Sequence, residues 1–465
     1  MSRRDPAPPR DPALPPGAAR CPGPSYQDIL AADGDDPPPP LREQRYAFLG
    51  DGDIPFARYH DPAFYEAEME RLWPNVWQWA CREEHIPAPG DRHVYDIGRH
   101  SVLVVRGEDS RIRAFINSCP HRGMKFAREG SRGGVRRAIR CPFHGMSWNL
   151  DGSLREMPCR WDFPHVREAD FGLDEIACET WGGFVFIHMG AAPPPLAHQL
   201  EVIPEHFRHW PMDDRYVALH TEKVLPANWK MAMEAFLEAW HVLATHPQAL
   251  YTAADANAQY DIFGPHVSRF IHAIGVPSPH LPRPVREETV FARLGRDPAA
   301  LPPGTSARAE HARLLRAELG AAFGTDLSGV STAEMLDSIE YFLFPERLLL
   351  PRHQYPPVLS LPPAGGGGDL ARDPAAPASA GRRRAPCPGH PDPPRGGGQL
   401  HHHPRLCPRR DPRSGHREPA APARGRPGLA QGRADARELP GSAHPPAAPD
   451  ARTIPRRLTC PRGRA

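Results

Sequence analysis

Four residues within one short stretch have the types and spacing to bind a pair of metals. Cys119-Pro-His121 is answered by Cys141-Pro-Phe-His144, so each of two short loops offers one thiolate and one imidazole. That donor set is the one required when one iron of a 2Fe-2S cluster takes two sulfurs and the other takes two ring nitrogens. Replacing two thiolates by neutral imidazoles removes negative charge and raises the potential, which suits accepting and passing single electrons. A structural zinc is the plainer alternative, since Cys2His2 is also a zinc set. Zinc fingers usually pair Cys with Cys and His with His along the chain, whereas each loop here mixes the two.

A second constellation lies about a hundred residues on, in Glu234-Ala-Phe-Leu-Glu238-Ala-Trp-His241-Val-Leu-Ala-Thr-His246-Pro247. On a regular helix five residues turn about 140°, so His241 and His246 could not converge on one ion unless the backbone bends. Pro247 supplies a bend, because the residue before a proline is pushed out of the helical region, which ends the helix near Thr245. Glu238 and His241 share one helix face and can hydrogen-bond, and a carboxylate often holds the second nitrogen of a metal-bound histidine in this way. Two histidines and a carboxylate can make the facial triad of non-haem Fe(II) oxygenases. With 25 histidines in the chain, a pair near a helix end is also commonly a cap or surface pair.

The elements that must position these residues divide the chain. Residues 1–45 carry proline runs at Pro8-Pro9, Pro15-Pro16 and Pro37–Pro40 with few aromatic residues, and read as a disordered leader. Asp61-Pro62 opens a helix expected to run to about Trp73, within a segment 46–79. Over 80–190 come short strands at Ser101–Arg106, Ile112–Ile116, Val135–Ile139, Met146–Leu150 and Phe184–Ile187, with a hairpin turn at Asn149–Gly152. This is an all-β module with two metal-binding tips. From 191 to 360 the pattern is α+β: a helical piece at Glu205–Trp210, a strand at Val217–Val224, a long helical stretch Met231–Thr245, helix Ala307–Phe323, a capping box at Ser331, and paired strands at Tyr341–Phe344 and Leu348–Leu350. Cys81, Cys159 and Cys178 read as buried or half-buried side chains.

A net charge of +2 argues against a generally polyanionic partner such as nucleic acid. No apolar run is long enough for a membrane span and the N-terminus lacks a secretion signal, so a cytoplasmic protein is expected.

Residues 46–360 resemble the large (alpha) subunit of Rieske non-haem iron aromatic-ring-hydroxylating oxygenases. The likeness rests on the Cys119/His121/Cys141/His144 box, the Asn228-Trp-Lys230 element and Glu238…His241…His246. The spacer of nineteen residues between His121 and Cys141 is slightly longer than that family's, the excess falling in Gly130–Gly134. The resemblance implies a Rieske domain (80–190) joined to a helix-grip catalytic domain (191–360) built on an antiparallel sheet, with segment 46–79 packed on the latter. It implies a 2Fe-2S cluster, a mononuclear Fe(II) held by His241 and His246, and Glu238 as the carboxylate bridging His241 to a neighbouring subunit's His144. It further implies a dioxygenase supplied with electrons from NAD(P)H through a ferredoxin or reductase, acting with O2 on an aromatic substrate, in a homotrimer or alpha-beta assembly. Monooxygenation and demethylation share the same motifs, and Asp255, Asn257 and Gln259 are candidates for shaping the pocket. A Rieske electron carrier without oxygenase activity is the competing reading, disfavoured because a carrier has no use for Glu238, His241 and His246.

The pattern fails after Leu359, where the third iron ligand, an aspartate in this family, should follow. From Pro356 to Ala465 there is no Phe, Trp or Met and no Val beyond Val358, and the text is Arg, Pro, Ala, Gly and His. A basic tail that binds nucleic acid or membrane is one reading of 361–465. A frameshift is preferred, because only three lysines in the chain suggest a GC-rich gene, and such a gene read out of frame yields this vocabulary. Arg413–Pro419 can be encoded so that the next frame reads Asp-Gln-Asp-Thr-Ala-Asn-Leu, which resembles the family segment carrying the third ligand. Asp369, Asp373, Asp392 and Asp411 are weak substitutes. The iron site is therefore expected to be incomplete in this chain.

Overall fold

The computed structural model describes residues 21, 23–128, 137–213, 215–220, 225–345, 347–349, 358–360 and 405–408. Nine strands form the first module: β1 (Gln78–Arg82), β2 (Arg92–Ile97), β3 (His100–Arg106), β4 (Ile112–Ile116), β5 (Ile139–Arg140), β6 (Ser147–Trp148), β7 (Leu154–Glu156), β8 (Glu175–Trp181) and β9 (Phe184–His188). Six pair in the order β1-β9-β8-β4-β3-β2, and β5-β6-β7 make a small sheet that carries the second Cys-His loop. The run Val102-Leu-Val-Val105 is buried on both faces, and its alternation sorts two cores. Leu103 and Val105 join Phe115, Phe126 and Trp148 under the metal-binding tips, while Val102 and Val104 face Trp73 and Trp229.

The second module holds a sheet ordered β11 (Gln259–Ile262), β12 (Val267–His272), β13 (Ser338–Leu343), β14 (Arg347–Leu349) and β15 (Val358–Ser360), and β10 (Arg215–Leu219) pairs with β16 (Arg405–Pro408). Helix Ala307–Phe323 begins where Ser306 Oγ accepts from Ala309 N at 3.2 Å and ends at Gly324 in the left-handed region. Ser331 and Glu334 form the expected capping box. One core runs between the modules, joining Trp77, Phe184 and Phe186 of the first to Ile271, Tyr341 and Leu343 of the second.

Several expectations need correction. The leader is structured from about Ser25: helices Tyr26–Ala32 and Pro39–Arg42 place Tyr26, Ile29, Leu30 and Leu41 in the core between the modules. Its few apolar residues suffice because they dock on a surface made by other elements, and two buried arginines latch the strap they form. Arg269 pairs with Asp261 at 2.6 Å, both fully buried, and donates to the carbonyls of Pro40 and Glu43. Arg308 joins Asp33 at 2.7 Å and Asp337 at 3.0 Å. The helix from Asp61 is α-helical only over Pro62–Ala67, then widens to a π turn (Glu68–Leu72) and closes in a 3-10 turn at Trp73–Asn75. Cys81 is buried and Cys178 half-buried, but Cys159 is exposed, at the start of a 3-10 turn with φ 56°. The tail is not wholly without pairing, since β16 lies in it; residues 361–404 and 409–465, with Asp369, Asp373, Asp392 and Asp411, fall outside the described residues. No helix among the described residues is long and apolar enough to cross a membrane.

The strap also makes stability depend on pH. His206 Nδ1 lies 2.8 Å from Tyr341 Oη and Nε2 3.1 Å from Glu43 Oε2 on the strap. Burial, then the Arg269 charge, push its pKa below the ordinary histidine value, and burial lowers His188 likewise. The unfolded chain then binds protons that the folded chain refuses, so this contribution is complete above about pH 6.5 and is lost as pH falls through the depressed folded pKa. The melting temperature should fall between about pH 7 and pH 5, and His206→Gln should flatten that slope. An unchanged slope in the variant would remove His206 from the account.

Candidate electron-transfer and metal sites

The two Cys-His loops have the same backbone pattern. Cys119 N donates to Met124 O at 2.9 Å and Gly123 N to Cys119 O at 2.8 Å; Cys141 N donates to Met146 O at 2.8 Å and Gly145 N to Cys141 O at 3.1 Å. Each loop closes through a glycine of positive φ, 73° at Gly123 and 80° at Gly145, a conformation costly for any residue with a Cβ. Asn117 ties the first loop to the sheet, its Oδ1 accepting from Phe126 N at 3.0 Å and its Nδ2 donating to Ala127 O at 2.8 Å. Trp148 braces the loops from below, edge-on to Phe126 and donating to Phe171 O at 2.7 Å.

Both thiols are buried and both imidazoles exposed, so sulfur faces the core and nitrogen the surface. Burial pushes the Cys119 thiol up from its ordinary value, while the backbone amides of His121 and Arg122 donate to its sulfur and oppose the shift. Such N–H···S bonds also stabilise negative charge on a cluster's sulfurs and help set its potential. The His121 and His144 ring centroids stand 4.9 Å apart. A ring nitrogen about 2.1 Å from a metal puts the centroid about 3.2 Å away, so two rings sharing one ion lie about 4.6–5.3 Å apart. The four residues therefore fit a 2Fe-2S cluster with two sulfur and two nitrogen donors. Gly130–Gly134 lies outside the described residues.

The second constellation rests on helix Trp229–Glu234, capped by Asn228, whose Oδ1 accepts from Lys230 N at 3.0 Å. Glu68, in the π turn, anchors this helix from the segment 46–79: it pairs with buried Lys230 at 2.7 Å and accepts from Trp229 Nε1 at 3.2 Å. The continuous helix expected over Met231–Thr245 is not formed. The chain leaves the helix after Glu234, turns through residues 235–241, and is helical again only over Val242–Thr245. His246, before Pro247, takes φ −126° and ψ 51°. Those two departures bring the His241 and His246 rings to 5.2 Å, within the range for one shared ion. Glu238 Oε1 lies 2.6 Å from His241 Nδ1 and its Oε2 accepts from His241 N at 3.0 Å, which leaves Nε2 of His241 to face a metal.

His241 and His246 have the types and spacing for two positions of a facial triad. Among the described residues no third His, Cys, Asp or Glu joins His241 and His246 in a group that could hold one ion. Asn257 and Gln259 bond to the leader segment: Asn257 to Cys21 and Pro24, and Gln259 to Glu43 O at 2.8 Å; Asn257 also lines a cavity with Pro24, Val276 and Leu281. Asp255 is buried, and its Oδ1 has no hydrogen-bond partner among the described residues.

Comparison with known families bears on both sites. Residues 76–167 match the Rieske [2Fe-2S] domain, and residues 205–305 match the ring hydroxylating alpha subunit (catalytic domain). The chain thus carries a Rieske domain and the catalytic domain of a ring-hydroxylating alpha subunit, and its relatives are Rieske oxygenase alpha subunits. The domains of such a subunit imply a Rieske cluster and a mononuclear iron. The chain is 30% identical over 235 residues to the glycine betaine monooxygenase oxygenase subunit of Chromohalobacter salexigens, covering 49% of this chain and 51% of the relative. It is 35% identical over 186 residues to the biphenyl 2,3-dioxygenase subunit alpha of Rhodococcus jostii, covering 38% and 39%. The chain thus spans about half the length, or less, of these curated relatives. The solved naphthalene 1,2-dioxygenase from Rhodococcus sp. matches with TM-score 0.48 and 22% identity, over 67% of this chain and 70% of that one.

Proposed function

We propose that this chain is the terminal oxygenase subunit of a monooxygenase system acting on a small N-methylated, quaternary ammonium substrate. The observation that carries the oxygenase reading is the Glu238–His241–His246 geometry in the same chain as the paired Cys-His loops. The substrate class is supported by the longer match to glycine betaine monooxygenase, 235 residues against 186 for the biphenyl enzyme, and by a further match to a carnitine monooxygenase oxygenase subunit. When bound, the cluster supplies single electrons and the iron supplies O2 activation. Cys119, Cys141, His121 and His144 would hold the cluster, and His241 and His246 would hold the iron. Glu238 fixes the His241 ring with Nδ1 occupied, and its exposed edge faces His144 of a neighbouring copy in a ring-shaped assembly.

A second reading is a Rieske electron carrier, in which the Cys-His loops act without the iron site. The residues beyond 360 belong on this reading to an out-of-frame stretch, which sequencing the gene around codons 355–365 tests directly.

One experiment separates the readings. Purified protein is assayed for iron, for a Rieske EPR signal, and for formaldehyde release from glycine betaine with NADH and a reductase. About three irons per chain and formaldehyde are expected of the monooxygenase, whereas about two irons and no product would leave only the carrier. Glu238→Ala should cost roughly 10–100-fold in turnover with the EPR signal intact. Turnover of biphenyl but not of glycine betaine would overturn the substrate class.

A further inference from the structure

Helix Trp229–Glu234 leads into the stretch that brings His241 to His246, yet at six residues it is too short to hold itself in water. What holds it comes from far back in the sequence. Tyr59 takes both ends: its carbonyl accepts from Nδ2 of the capping residue Asn228 at 2.8 Å, and its hydroxyl donates to Glu234, whose carboxylate oxygens lie at 2.9 and 3.1 Å. Glu68 takes the middle, through Lys230 and Trp229. The Lys230 ammonium also stands over the Phe64 ring, 5.2 Å from its centroid. Tyr59, Phe64 and Glu68 together form a clamp.

Two features separate this clamp from ordinary packing. Glu68 and Lys230 are a buried ion pair, their side chains 7% and 5% exposed. Taking both charges out of water costs about as much as their attraction returns, and a well-packed apolar pair would hold the helix as firmly. What the charged pair adds is register, because the helix has one position along its axis at which Lys230 and Trp229 both meet the Glu68 carboxylate. The second feature is where the clamp ends. Glu234, held by Tyr59, supplies the carbonyl that accepts from Leu237 N at 3.0 Å, the bond that opens the turn toward Glu238 and His241. A slip of the helix is passed to those two residues, four and seven positions on. A metal site tolerates little of this, since its ligands must be held to about 0.5 Å.

We infer that Tyr59 and Glu68 are positioning residues for the iron site: they set the register of helix Trp229–Glu234, so that the turn after it delivers His241 within reach of an ion shared with His246. The inference rests on the reading of His241 and His246 as iron ligands. It gives segment 46–79 a part in the metal chemistry, exerted through the helix it grips.

The test titrates Mn(II) into the full-length protein after chelation of any mononuclear iron, and follows the loss of the free Mn(II) EPR signal at room temperature. His241→Ala gives the background from other sites. The variants are Tyr59→Phe, which releases Glu234, and Glu68→Gln/Lys230→Met, which removes both charges and leaves Trp229 an acceptor. Each should raise the Mn(II) dissociation constant about tenfold or more. The denaturant midpoint and the low-temperature Rieske signal should stay those of the parent, since neither variant leaves a buried charge unpaired. Affinity unchanged in both variants, whatever their midpoints, would overturn the positioning role while sparing the iron site. Affinity that falls only in step with the midpoint would make the clamp purely structural and overturn it equally. Parent protein that binds Mn(II) no better than His241→Ala would overturn the iron-ligand reading and this inference together.

Discussion

Cys141→Ala should yield protein without visible colour, without a Rieske EPR signal, and with about two fewer irons per chain than the parent. The expectation follows from geometry. Cys141 and Cys119 are the two buried donors of the set and stand in the core under the loops with Phe115, Phe126 and Trp148. No other described cysteine takes part in that core, so nothing nearby replaces a lost thiolate. Cys119→Ala should behave alike, because the loops share one hydrogen-bond pattern. His144→Ala removes a surface donor, should leave the fold intact, and should still abolish the signal. Loss of metal should also cost stability, because binding free energy of a site formed only on folding is folding free energy. Parent protein that is colourless and carries zinc would show that the box is a structural zinc site.

Arg269→Leu should be the most damaging single change away from the metals. Its guanidinium is fully buried and satisfies Asp261, which is also fully buried, together with two strap carbonyls and the Tyr341 hydroxyl at 3.1 Å. Removing the cation leaves a carboxylate in the core, a change that typically costs about 3–5 kcal/mol. Asp261 keeps two neutral donors, Arg45 N at 2.7 Å and Gln259 Nε2 at 2.8 Å, which places the cost toward the lower end. The strap should become cleavable between residues 25 and 45, read by limited proteolysis beside the denaturant midpoint. The double variant Arg269→Leu/Asp261→Leu should recover much of the loss, since apolar replacement of both partners of a buried pair is often neutral. A single variant that unfolds within about 1 kcal/mol of the parent would show that the latch carries little.

The ligand loops were legible because their chemistry is local: two Cys-His pairs and two glycines specify the tips without reference to distant residues. The same holds for the Asp61 and Ser331 caps and for helix Ala307–Phe323, which match the sequence reading. The stretch holding His241 and His246 departs from its sequence reading for the opposite reason. Met231–Thr245 is rich in Met, Ala, Leu and Glu, all good helix formers, yet the chain turns after Glu234, with Phe236 N bonding Met233 O and Leu237 N bonding Glu234 O. Local propensity does not record that two histidines must meet. The strap was missed because its proline-rich composition reports only what the segment can do alone, whereas its burial depends on Arg269 and Arg308 from far along the chain.

The latch sets an order on how this protein can be made. Tyr26 and Asp337 are 311 residues apart in sequence, and Asp33 and Arg308 are 275 apart, yet each pair must meet for the core to close. At synthesis rates of about 5–20 residues per second, the strap waits on the order of tens of seconds outside the ribosome before its partners emerge. During that interval Tyr26, Ile29, Leu30 and Leu41 are exposed to other nascent chains. The β module with its Cys-His tips is complete much earlier, so cluster loading can precede completion of the second module, and a holdase would be needed for the opening segment alone.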